Sequence, residues 1–108
     1  MIDIMSVLLE FSMFPTDKGE SVSAYVSQVI KMIRDSGVDY QLTPMGTIIE
    51  TATMSEALGI IEQAYAVLDG QGCNRVYSSL KFDIRKGKDN RLAGKVKSVR
   101  EKIGDINT

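Results

Sequence analysis

The 108-residue chain has no histidine, no tryptophan and a single cysteine, Cys73. Without histidine it lacks the commonest metal ligand and the commonest general base, so no structural zinc site is expected. One cysteine cannot form an intrachain disulfide, which suits a reducing compartment. No apolar run of about 20 residues is present, so no transmembrane helix is expected. The first residues also lack the basic start and small-residue cleavage site of a secretory signal. Together these absences point to a cytoplasmic protein with no membrane association. Thirteen Lys and Arg against fourteen Asp and Glu give a net charge of −1, which argues against a nucleic-acid binder. No P-loop, nucleotide-binding glycine fingerprint, histidine-based triad or metal cluster occurs. Cys73 sits in "GQGCNR" with no histidine to activate it, and reads as a loop thiol. No catalytic residue, metal or cofactor is therefore expected, and the chain does not read as an enzyme.

The apolar residues are patterned for one domain spanning 1–108, enough for one two-layer core. Residues 2 to 14, "IDIMSVLLEFSMF", alternate as a strand, with Met5, Val7, Leu9, Phe11 and Met13 on one face. Pro15 ends it. A helix follows, capped by Asp17 with Glu20 or by Ser21, with the stripe Val22, Val26, Val29, Ile30 and Ile33, stopping at Ser36-Gly37. "VDYQLTPMGTIIETAT" predicts two short strands around a turn at Pro44-Met45-Gly46. Thr53 with Glu56 is a capping box opening a second helix, whose stripe is Ala57, Leu58, Ile61, Tyr65 and Leu68. "RVYSSLKFDIR" alternates again, and a short basic helix carrying Leu92, Val96, Val99 and Ile103 closes the chain.

The order β-α-β-β-α-β plus a C-terminal helix is that of an α+β, ferredoxin-like fold, a four-stranded antiparallel sheet with two helices on one face. Strands one and four are expected at its centre. That fold hosts many functions, so residues must speak for themselves. Lys81 and Asp83 share one face of the last strand, either in a cross-strand ion pair such as Lys81 with Glu10 or at a ligand site. Gly46 allows a close backbone approach. Glu50 shares a face with Ile48 and is either buried with a partner or at a pocket rim. Ser21 and Ser23 fall at a helix start, where free N–H groups favour anions, though capping explains most such serines. RNA binding on the sheet would need exposed aromatics on the central strands, and only Tyr77 qualifies.

Taken in order, "EFSMFP", "GESVSAYV", "SGVDYQLTPMGTIIET", "NRVYSSLKFDIRKG" and "LAGKVKSVREKI" resemble the small thiamine-binding-protein family, one-domain relatives of the YkoF-like hydroxymethylpyrimidine and thiamine binders. The similarity runs from residue 4 to about residue 103. It implies a ferredoxin-like domain that assembles as a homodimer or homotetramer, holds no metal, and binds thiamine or its pyrimidine precursor without catalysis. Met45, Gly46, Thr47 and Glu50 match the "MGT-x-x-E" positions; Lys81, Asp83 and Arg85 match the last-strand motif. Ser12, Ser21 and Ser23 fall in the first-strand and helix-start motif. The resemblance assigns Thr47 and Glu50 to the pyrimidine and Asp83 to the thiazolium cation. With no tryptophan, any stacking comes from Phe11, Phe14, Phe82 or a tyrosine. The alternative is a homo-oligomeric structural or regulatory module, with the mixed sheet face as its interface and no small ligand.

Overall fold

The computed structural model describes residues 4–108. Its elements run β1 (Met5–Pro15), α1 (Ser23–Ser36), β2 (Asp39–Thr43), β3 (Gly46–Thr51), α2 (Met54–Gly70), β4 (Val76–Lys86) and α3 (Arg91–Ile103). Ile2 and Asp3, the expected start of the first strand, lie outside the described residues. All strand pairs are antiparallel, in the order β2-β3-β1-β4. This is the ferredoxin-like arrangement predicted from the element order.

The centre of the sheet is corrected, however. β1 and β3 are central, and β4 is an edge strand paired on one side only, with β1. The two interleaved βαβ units insert β3 between β1 and β2, which leaves β4 the outer flank of β1. Its charged row thus stands beside water.

The odd residues of β1 face α1 and α2. Val7, Leu9, Phe11 and Met13 join Val29, Ile33, Ile49, Ala57, Ile60, Ala64, Leu68 and Cys73 in one buried core. On α2 the buried stripe is Ala57, Ile60, Ala64 and Leu68, whereas Leu58 and Tyr65 are exposed. The helix is rotated from the expected stripe, presenting Ile60 and Ala64 to the sheet in place of Leu58 and Tyr65. Thr53 caps it as predicted, accepting from the Glu56 N–H at 3.1 Å.

α1 begins at Ser23, later than either predicted cap, and its N-cap Val22 makes no side-chain bond. Asp17 is used elsewhere: it accepts from the Asn74 N–H at 2.8 Å, a bond that holds its carboxyl below the ordinary range. With Thr16 N–H donating to the Arg75 carbonyl at 2.9 Å, it ties the exit of β1 to the entry of β4. At the far end Gly37 takes φ 82° and closes the helix.

α3 packs against the opposite sheet face, over β3, β1 and β2. None of its residues is fully buried. Its position therefore depends on how its N-terminus is held.

Candidate ligand-binding cleft

β3 is shorter than β1, and a notch follows from that. The last register pair is Phe11 with Thr47, while β1 runs on to Pro15. Backbone groups alternate sides along a strand. The Phe11 carbonyl points toward β3, since a Cβ on Gly46 would stand 2.8 Å from its oxygen. By the same alternation the N–H and C=O of Met13 point to that side too, where β3 has already ended.

Over this open edge lies a cleft of about 370 Å³, walled by Phe11 to Phe14, by the N-cap Val22 with Val26, Val29 and Ile30 of α1, and by residues 42–47 of the hairpin. Val26 and Ile30 are only half-buried because they line it. No charged side chain contributes to the walls. Phe14 offers an aromatic plane and is itself backed by Tyr77, with ring centroids 5.8 Å apart.

The hairpin wall is rigid for a local reason. The Thr43 hydroxyl accepts from the N–H of Met45 and of Gly46 and donates to the Gly46 carbonyl at 2.9 Å. That leaves the hydroxyls of Ser12 and Thr47 on the lining. Met45 projects into solvent at the mouth, 88% exposed, an unbranched side chain free to fold over a ligand. A larger groove of about 880 Å³ runs between β2 and α3. Its lining is more polar and carries charges of both signs, Asp39, Lys97, Arg100 and Glu101 among them.

Of the residues proposed from sequence, Ser12, Met45, Gly46 and Thr47 come together in this cleft. Ser21 and Ser23 are exposed at the start of α1, outside its lining. Lys81 pairs with Glu10 across β4 and β1 at 3.3 Å, the ion pair weighed from sequence; both side chains are well exposed, which limits its worth to about 1 kcal/mol or less.

Glu50 and Asp83 belong to another cluster, on the α3 side of the sheet. Glu50 is only 9% exposed. It accepts from the Ser6 hydroxyl, from the Arg91 N–H at 2.9 Å and from the Leu92 N–H at 3.0 Å. It therefore caps α3 from another strand, since Asn90 at the N-cap makes no side-chain bond of its own. Arg91 completes the cluster: its Nε donates to Ser6 Oγ at 2.9 Å, its guanidinium donates to the carbonyls of Ser6 and Asp83, and Nη1 lies 3.0 Å from Asp83 Oδ2. Burial would raise the Glu50 carboxyl, but the Ser6 hydroxyl, the two N–H donors and the Arg91 charge outweigh it and leave it below its ordinary value.

Sequence reasoning missed Arg91 altogether; Asp83 lies eight residues before it, but Glu50 and Ser6, which draw it into the cluster, lie 41 and 85 residues away. It also missed α1's contribution to the cleft, where Val26 and Ile30 read as core.

Comparison with known proteins places the chain. A family model described as thiamine-binding protein matches residues 9–100. A UPF0045 protein of Methanocaldococcus jannaschii is 35% identical over 94% of this chain and 99% of its own length. The crystal structure of that organism's protein superposes with a TM-score of 0.75 at 36% identity, covering 89% of this chain and 97% of the other. A Thermotoga maritima protein named as a candidate for thiamine biosynthesis or salvage has the same fold, with a TM-score of 0.68 at 21% identity, covering 88% of this chain and 99% of that one. With a family match over most of its length and a relative of this identity, the chain belongs to the thiamine-binding protein family.

Proposed function

We propose that this protein is a non-enzymatic cytoplasmic binding protein for thiamine or its hydroxymethylpyrimidine precursor, and that the pyrimidine seats in the cleft beside β1. The observation that carries the reading is the open strand edge at Met13, set in a mostly apolar cleft within a thiamine-binding family member. An aminopyrimidine presents an amine donor next to a ring-nitrogen acceptor. Those groups match the adjacent C=O and N–H of Met13 as a neighbouring strand would. Thr47 and Ser12 supply hydroxyls for the remaining ring nitrogen and the hydroxymethyl group. Phe14 and the α1 valines cover the ring faces.

This seat narrows the sequence-based assignment. Glu50 and Asp83 act on α3 and not on the pyrimidine. The uncharged walls suit hydroxymethylpyrimidine, which is neutral; the thiazolium cation of thiamine finds no counter-charge in the lining and stays at the solvent-facing mouth, and a phosphate would add an anion that the lining does not pair.

Calorimetric titration with the three compounds tests this. Saturable binding of the first two at about micromolar Kd is expected. Thr47→Val weakens it about tenfold through one lost hydrogen bond, and Val26→Trp abolishes it by filling the cleft. No heat with any of the three from folded protein would refute the proposal.

The alternative, a homo-oligomeric module without a ligand, is favoured by a different observation, the bare outer edge of β4. Self-assembly as a dimer, or a tetramer built from dimers, is compatible with ligand binding, and we take both together.

A further inference from the structure

β2 forms the other edge of the sheet, paired on one side only, with β3. Its outward backbone groups can be named. The Phe11 carbonyl points to β3, so Thr47, opposite it, turns its own N–H and C=O toward β1. Leu42 is the β2 partner of Thr47. By the same alternation its N–H and C=O point outward, as do those of Tyr40. Among the described residues no strand meets these four groups.

The groove between β2 and α3 runs along this edge. Four consecutive residues, Asp39 to Leu42, border it, so it touches both faces of the strand and the backbone between them, whereas no residue of β1 or β3 takes part. The far wall is α3, which presents Leu92 and Val96, both half-buried, and then Lys97 and Arg100. An edge strand that faces a helix across an open groove admits an extended peptide as an added strand. The five residues of β2 offer it about 16 Å.

We infer that this groove takes a peptide segment of another protein, added antiparallel to β2, acidic at its N-terminal end, apolar in the middle and basic at its C-terminal end. Antiparallel pairing is the stabler of the two, and the charges fix the order. Asp39 lies beside the start of α3, because Glu50, its partner on β3, caps that helix. Lys97 and Arg100 come about 9–14 Å further along the helix, toward the other end of the groove. Neither makes an ion pair among the described residues. Arg100 donates to the Thr108 hydroxyl at 3.2 Å, a neutral partner that a carboxylate would improve on. Glu101 borders the same end and leaves it net positive.

An antiparallel peptide begins beside Thr43 and ends beside Asp39. Its first residue therefore meets the two cations and its last meets the carboxylate. The residue opposite Gln41 lies on the α3 side of the sheet, against Leu92 and Val96. Those opposite Tyr40 and Leu42 cover side chains that are now 36% and 58% exposed.

The probe is a blocked peptide of about seven residues, with two glutamates, then alternating valine and threonine, then two lysines, titrated into the 15N-labelled protein. Saturable shifts are expected, largest at the Tyr40 and Leu42 amides, with a Kd of roughly 10–100 µM. Two versions N-methylated on alternate amides separate strand addition from side-chain contact. The set that faces β2 should lose at least tenfold in affinity, and the set that faces away should bind like the parent. Equal affinities for the two would overturn strand addition. Lys97→Glu combined with Arg100→Glu, both exposed positions, should weaken the parent peptide at least fivefold; unchanged affinity would overturn the charge order. No saturable shift by about 1 mM peptide would overturn the groove as a peptide site. Shifts of the same amides that depend on protein concentration, with no peptide present, would give the edge to a second copy of the chain and overturn it as well.

Discussion

Glu50→Ala is expected to release α3 from the sheet and cost about 2–4 kcal/mol of stability, while β1 to β4, α1 and α2 stay folded. Three bonds end on this carboxylate, two of them from the first backbone N–H groups of α3. Its removal strips the helix of its cap and leaves Arg91, whose side chain is largely buried, without its innermost counter-charge. α3 has no fully buried residue with which to make good the loss. Far-UV circular dichroism should report the loss of a helix of 13 residues, with a lowered denaturant midpoint. Unchanged helicity and midpoint would show that packing alone holds α3.

The same contact sets a pH dependence. The folded-state pKa of Glu50 is lowered, so its contribution is fully present above the unfolded value, about 4.3 for glutamate. It is lost as pH falls through the lower folded value. Acidification below about pH 4 is expected to detach α3 before the core unfolds, and Glu50→Ala should abolish that early step.

The second large effect concerns Gly46. A Cβ there would stand 2.8 Å from the Phe11 carbonyl oxygen and 3.4 Å from its carbon. Both are main-chain atoms of a central strand and cannot turn aside as a side chain would. Gly46→Ala is expected to destabilise the protein by about 1–3 kcal/mol, through displacement of the hairpin from β1. Because Phe11, Gly46 and Thr47 all line the cleft, the shift also widens the site, and ligand affinity should fall at least tenfold in the protein that remains folded. Chemical denaturation and calorimetric titration of the one variant read both effects.

The residues that announced the fold were those whose role is local. Alternation along β1, Gly37 closing α1 and Thr53 with Glu56 opening α2 all act within a few residues, and all stand where the sequence put them. What was hidden depends on pairing. Val76 to Ile84 alternate as cleanly as a central strand, yet the order of the strands makes β4 an edge. Nothing in the spacing distinguishes a face covered by helices from one beyond their reach.

The site divides in the same way. Gly46 and Thr47 were legible because a glycine at a hairpin corner declares a close approach. Glu50 was legible only as a carboxylate either buried with a partner or at a pocket rim; the partners that decide it come from β1 and from the start of α3, and no periodicity links them. The open edge at Met13 is a difference in length between two strands, which appears only once their register is known.

The most direct test of the cleft is an amide chemical-shift titration of the 15N-labelled protein with hydroxymethylpyrimidine. The account predicts the largest shift at the Met13 amide, with smaller ones at Gly46, Thr47 and Val26, and none at Arg91 or Leu92. Saturable shifts centred on Arg91 and Leu92 instead would move the ligand to Glu50 and contradict it.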